Sequence, residues 1–227
     1  MAGEADLEQT VNAVAHDLRS PLVSVLGFSR LLREEYDDAL GERGLHFVNR
    51  IEQAGRTMEQ LITQLLDYAR IGHADERRQP VDPLEVLQQL RAELKPRLEE
   101  AGVELELPSE PPLLICDRTR IYQLFSNLLG NALDHMGPCE SPRIHVTVEA
   151  DGNESHISVS DNGRGIEPGL EDNVFDLFRS GPSADGRKRS GLGLSIVKRI
   201  AELHGGRVEL ETTPGTGATF RVSLPSA

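Results

Sequence analysis

Apolar residues fall at Leu7, Val11, Val14, Leu18, Leu22, Val25 and Leu32. The steps are mostly threes and fours, the repeat of a helix that buries one stripe. A second run keeps the same spacing: Leu45, Val48, Ile51, Met58, Leu61, Leu65 and Tyr68. Between the two, DDALGERG (Asp37–Gly44) breaks the pattern with acids and two glycines. Two helices of this length joined by a short turn form an antiparallel hairpin. A lone hairpin leaves its stripes half covered. Pairing two hairpins buries them, so the spacing predicts a dimeric four-helix bundle and therefore a homodimer.

The texture then changes. RIGHADERRQP (Arg70–Pro80) is charged, polar and closed by proline, as a linker is. Beyond it, a helix is expected over Pro83–Glu100, short strands at Val103–Leu107 and Leu113–Cys116, and a helix over Arg118–Met136. Alternation predicts strands at Ile144–Ala150 and His156–Ser160. A helix fits Ser190–Leu203, stopped by Gly205 and Gly206. Closing strands at Arg207–Thr212 and Ala218–Leu224 flank the turn TPGTG. The expectation is an α+β chain of two domains. Residues 1–72 form the helical hairpin, 73–80 the linker, and 81–227 an α/β two-layer sandwich.

Charge narrows the function. The chain carries 24 Lys+Arg against 37 Asp+Glu, a net charge of −13. Both halves are acidic, which argues against nucleic acid as a partner. No apolar run reaches the ~18 to 20 residues of a membrane helix, and the acidic start MAGEADLEQTVN has no signal-peptide core. A cytoplasmic location is expected. Two cysteines, far apart, favour neither a disulfide framework nor a zinc site.

Four stretches carry chemistry. In DNGRGI (161–166) a strand ends on Asp161, and glycines at 163 and 165 let a ligand approach the backbone. A carboxylate there could accept from an amine on a planar ring; a plain hairpin turn would look the same. SGLGLSIVKRI (190–200) opens a helix after a loop bearing Arg187, Lys188 and Arg189. The N–H groups of a helix start suit an anion such as phosphate. In QLFSNLLGNALDHM (123–136), Asn127, Asn131 and His135 recur every four residues on one face. Asparagine is a poor helix-interior residue, so the stripe suggests hydrogen bonding or coordination of Mg²⁺, or else a solvated face. Finally, AHDLRSPLVSVLGF (15–28) sets His16 beside Asp17 on a polar stripe, with Pro21 five residues on.

Taken in order, these motifs, with VFDLF, HGG and TPGTGATF, resemble the ATP-binding domain of sensor histidine kinases, the Bergerat fold shared with gyrase-like ATPases. The likeness covers about residues 80–225. HDLRSPL resembles the phospho-acceptor motif of the same family's dimerisation domain, over about residues 5–72. Together with LLDYARIG it is most similar to the kinase modules attached to phytochrome-type sensors.

The resemblance implies roles. His16 would be the phosphorylated residue, and Asp17 would orient its ring or take its proton. Ser20 would help dephosphorylate the partner. Pro21 would allow a bend that couples an upstream sensor to His16. Asp161 would accept the adenine amine, with Gly163 and Gly165 shaping that pocket. Asn131 would ligate Mg²⁺, while Asn127 and His135 would support the ATP site. Gly191, Leu192 and Gly193 would face phosphate together with Arg187, Lys188 and Arg189, and Phe175 and Phe178 would pack the base of a lid. The implied function is ATP-dependent autophosphorylation on His16 and transfer to an aspartate of a response regulator receiver domain. A phosphotransferase, phosphatase or nucleotide-responsive scaffold with a weakened ATP site is the alternative. Leu177 and Arg179 depart from the family pattern. So does Asp134, which replaces a common phosphate-holding lysine. Lysine at 134 is expected to tighten ATP binding.

Overall fold

The computed structural model describes residues 2–71, 78–177, 179 and 191–226. Two compact units result, Met1–His73 and Ala74–Ala227.

The first unit is the hairpin. Helix α1 spans Ala2–Glu35 and α2 spans Asp37–Arg70. The chain reverses around Tyr36, whose backbone leaves the helical region. Gly41 then breaks α2's first turn with φ 60° and ψ 178°. A side chain would be strained at that φ, so the first glycine of DDALGERG makes the break, whereas Gly44 lies inside the helix.

The single apolar stripe expected of α1 is two stripes. Ala15 and Leu22 are buried against Ile62 and Leu66 of α2, with Val11 and Leu26 packed beside them. Val14, Leu18, Val25 and Leu32 of the expected stripe lie 40% exposed or more, as do Ile51 and Met58 of α2. The physical reason is geometric. One neighbouring helix covers only part of a helix circumference, so residues on an adjacent row stay uncovered. Below the apolar layer, Gly55 lets the helices close: a Cβ there would lie 2.5 Å from Leu26 Cδ2.

The second unit is a two-layer α/β sandwich. Its helices are α3 (Pro83–Ala101), α4 (Arg118–His135) and α5 (Gly193–Leu203). Its strands are β1 (Gln79–Val81), β2 (Glu104–Glu106), β3 (Leu114–Cys116), β4 (Arg143–Asp151), β5 (Glu154–Asp161), β6 (Arg207–Thr213) and β7 (Gly217–Pro225). The five-stranded sheet runs β2-β4-β5-β7-β6, antiparallel except for the parallel pair β2/β4. Strands β1 and β3 pair antiparallel as a separate ribbon, so Gln79 and Pro80, expected in the linker, belong to a strand.

The starts of α3 and α4 follow from capping. Asp82 Oδ1 accepts from the N–H of Leu84, and Pro83 occupies the first helical position, where its missing N–H costs nothing. Asp117 Oδ1 accepts from the N–H groups of Thr119 and Arg120. Helix α4 packs between α3 and α5. Its Leu124, Phe125, Leu128 and Leu129 are fully buried, as are Ile144, Ile157 and Val222 on the facing strands. That core seats the opposite, polar face of α4 at a fixed place.

Candidate functional site

On α1, the side chains of His16 and Asp17 are each 85% exposed. His16 Nδ1 lies 3.5 Å from Asp17 Oδ1. A carboxylate can only accept, so a hydrogen bond between the two requires the ring proton on Nδ1 and the lone pair on Nε2. Ser20 is exposed, and its carbonyl accepts from Ser24 Oγ at 3.4 Å. Helix α1 continues through Pro21, which has no N–H to offer the carbonyl of Asp17.

In the second unit the site begins where β5 ends, on Asp161. Its Oδ1 accepts from the N–H of Gly163 at 2.9 Å. Burial pushes this carboxyl above the usual aspartate range, partly offset by backbone hydrogen bonds from Gly163 and Ala218. The glycines here are sterically required. A Cβ on Gly163 would sit 2.7 Å from the Met136 carbonyl oxygen, and one on Gly165, whose φ is 67°, 2.4 Å from that of Thr213. Thr212 Oγ1 donates to the Gly217 carbonyl and accepts from the Ile166 N–H, so the turn after β6 braces the motif.

Helix α4 supplies the next wall. Asn127, Asn131 and His135 are half-buried on its polar face. Asn127 Nδ2 donates to the Gln123 carbonyl at 2.7 Å. Its Oδ1 would lie 2.9 Å from a Cβ on Gly193, so Asn127 and the start of α5 meet only because residue 193 lacks a side chain. Gly191 has φ 63°. Leu192 is wholly buried, and its carbonyl accepts from Ser195 Oγ and from the Ile196 N–H. The first N–H groups of a helix have no partner within it, the arrangement that suits an anion. Arg187, Lys188, Arg189 and Phe178 lie outside the described residues. Phe175 packs edge-on against Phe220, centroids 6.2 Å apart.

Two partnerships were invisible to residue spacing. Asp134 Oδ1 accepts from Arg97 Nη2 of α3 at 2.5 Å. The carboxylate that replaces the family's common lysine is thus tied by a cation to the neighbouring helix. His135 Nδ1 accepts from Arg164 Nη2 at 2.6 Å. Arg164 stands inside DNGRGI, where spacing alone treats it as filler. Among the described residues no cluster of three or more His, Cys, Asp or Glu is placed to hold a metal, so a cation here would depend on amide oxygens and ligand atoms.

Comparison with known proteins agrees with this geometry. Residues 6–74 match the family described as His Kinase A (phospho-acceptor) domain. Residues 116–227 match the family of histidine kinase-, DNA gyrase B- and HSP90-like ATPases. The chain is 34% identical over 221 residues to phytochrome-like protein Cph1 of Synechocystis sp., covering 97% of this chain and 29% of that protein. It is also 34% identical to the methanogenesis regulatory histidine kinase FilI of Methanothrix harundinacea, covering 99% and 25% respectively. Among solved structures, full-length ShkA in complex with AMPPNP superposes with a TM-score of 0.75 at 30% identity, over 96% of this chain and 46% of that one. The chain therefore spans about a third or less of the length of these curated relatives.

Proposed function

The chain belongs to the histidine kinases, and from that premise we propose that it phosphorylates His16 from ATP and passes the phosphoryl group to an aspartate of a response regulator. The carrying observation is the pairing, in one chain, of an exposed His–Asp couple on α1 with a half-buried aspartate at the end of β5 and a glycine start of α5 that meets Asn127. The first is a reachable nucleophile with a carboxylate beside it. The second suits a nucleotide, with an acceptor for the adenine amine and N–H donors for phosphate.

The residues fit ATP and Mg²⁺ by donor chemistry. Asp161 would take the adenine amine, the N–H groups around Gly191–Gly193 would take phosphate, and the Asn131 amide oxygen would take the cation. Bound Mg·ATP supplies the γ-phosphoryl group and the charge neutralisation that its transfer needs. Asp17 would hold the Nδ1 proton of His16, and Nε2 would then present its lone pair. The N–P bond forms at Nε2 as the bond to ADP breaks. Ser20, one turn along α1, would orient water for dephosphorylation of the partner. Residues 1–72 act as the dimerisation and acceptor domain, 73–80 as the linker, and 81–227 as the ATP domain. The exposed Val14, Leu18 and Val25 row supports a homodimer.

Incubation with γ-labelled ATP and Mg²⁺ tests the reading. Acid-labile, alkali-stable label is expected on the protein and lost in His16→Gln. Nucleotide binding without label in either protein would favour the alternative, a nucleotide-responsive scaffold or relay.

A further inference from the structure

The connection from α4 to β4, MGPCESP (136–142), has no helix or strand of its own. Pro138 and Pro142 bring no N–H to it, and Gly137 takes a φ of 68°. Much of what holds it comes from Asn162, the residue of DNGRGI that neither charge nor spacing marks out. Asn162 Oδ1 accepts from the Arg143 N–H at 2.7 Å, and its Nδ2 donates to the Ser141 carbonyl at 2.8 Å. Its own N–H donates to the Arg143 carbonyl at 3.3 Å, and its carbonyl lies 3.5 Å from Cys139 Sγ. Every polar atom of Asn162 thus meets the stretch 139–143. From another side, the Glu104 N–H donates to the Pro142 carbonyl at 2.9 Å.

The near end of this connection borders Asp161. A Cβ on Gly163 would lie 2.7 Å from the Met136 carbonyl oxygen, 2.8 Å from Met136 Cα and 2.9 Å from Asp161 Oδ1. The Met136 backbone and the Asp161 carboxylate therefore flank the same Cα. Met136 is buried, and its carbonyl accepts from the Arg164 N–H at 3.1 Å. Asp161 and Asn162 are neighbours in sequence with different tasks. The carboxylate turns back to the Gly163 N–H, and the amide reaches across to the connection.

We propose that Asn162 is a positioning residue for nucleotide binding: it clasps the 136–143 connection and so keeps the Met136 backbone packed beside the Asp161 carboxylate. Its own amide is occupied by Ser141 and Arg143, so it acts through the connection. The ligand role of Asp161 rests on the nucleotide reading above. The clasp and its effect on Asp161 are properties of the free protein, so the parts fail separately.

Asn162→Ala in the full chain carries two reporters. Cys139 sits on the connection, and Cys116 is fully buried in the core. Losing two side-chain hydrogen bonds is expected to speed thiol modification of Cys139 about tenfold, while Cys116 stays protected and certifies the fold. The Asp161 carboxyl is held high by burial, partly offset by the backbone N–H groups of Gly163 and Ala218. Its ¹³C titration is expected to move down toward the ordinary aspartate range as water reaches it. AMPPNP with Mg²⁺, titrated calorimetrically, is expected to bind about tenfold more weakly.

An unchanged Cys139 rate in a folded Asn162→Ala overturns the clasp. A faster Cys139 with an unchanged Asp161 titration overturns the positioning role, because a merely structural bond would loosen the connection without touching the carboxylate. A shifted titration with unchanged AMPPNP affinity overturns its bearing on the nucleotide. Should Asn162→Ala expose Cys116 as well, Asn162→Ser, which shortens the side chain but leaves a polar group on it, is judged by the same readings. If the unsubstituted chain binds no AMPPNP, the nucleotide reading falls, and the thiol and carboxyl measurements still judge whether Asn162 sets the surroundings of Asp161.

Discussion

Arg97 on α3 donates to the carboxylate of Asp134 on α4 at 2.5 Å, joining two helices across 37 positions of sequence. Asp134 is 15% exposed at its side chain and Arg97 48%, so water screens the pair only in part. Lysine at 134 would set two cations together. That pairing argues against the tighter ATP binding expected from sequence. Asp134→Lys should lower the stability of the ATP domain by roughly 1 kcal/mol, the upper range for such a pair. It should not tighten ATP binding unless Arg97 is also made neutral. Denaturant midpoints and calorimetry on Asp134→Lys with and without Arg97→Gln check both statements.

Asp161 should couple stability to pH. Its carboxyl is held above the ordinary aspartate range by burial. A group shifted this way costs nothing below its unfolded value, and its penalty grows as pH rises through the folded one. Asp161→Asn should therefore melt higher than the unsubstituted chain at neutral pH, with the gain fading in acid. It should also lose nucleotide binding. Melting curves from about pH 3 to about pH 8 test this, and a gain that widened in acid would contradict it.

The two thiols should react very differently. Cys116 is fully buried, and desolvation pushes its pKa up to about 12, with Asp117 adding to the effect. Cys139 is half-buried, its Sγ 3.5 Å from the Asn162 carbonyl. A thiol reagent should modify one cysteine in the native protein and the second only on unfolding. Mass spectrometry of the labelled peptides identifies which.

Glu52 is the charged residue at the heart of the hairpin. It is 6% exposed, and its Oε2 accepts from Arg33 at 2.7 Å and Arg56 at 3.3 Å. Removing it leaves the two guanidinium groups facing each other. Because both arginines reach solvent, the loss should be about 1–2 kcal/mol rather than the 3–5 of a fully buried pair. Glu52→Gln should lose less, since it keeps an acceptor oxygen. Equal urea midpoints for Glu52→Ala and the unsubstituted chain would rule this out.

Elements whose partners lie nearby in sequence were readable from residues alone. Asp82-Pro83 and Asp117 announce helix starts through their own side chains. The alternation of β4 and β5 is recorded in successive residues. The glycines of DNGRGI could be marked because no side chain fits there, although what crowds them, Met136 and Thr213, is distant in sequence. Pairings across the fold were not readable. Nothing near Asp134 names Arg97, and nothing near His135 names Arg164. Strand β1 was missed because three residues carry no periodicity, and its proline is tolerated only on a ribbon edge. The second stripe of α1 was merged with the first because threes and fours describe both rows equally well.

That second stripe makes the hairpin's folding a question of how many copies are present. In the homodimer proposed above a second copy covers Val14, Leu18 and Val25, and the free energy of the first unit would then include an association term that dilution removes. The second unit has its own core and owes nothing to concentration. Heating a dilution series should therefore separate the two, with one transition sliding to lower temperature as protein is withdrawn and the other standing still.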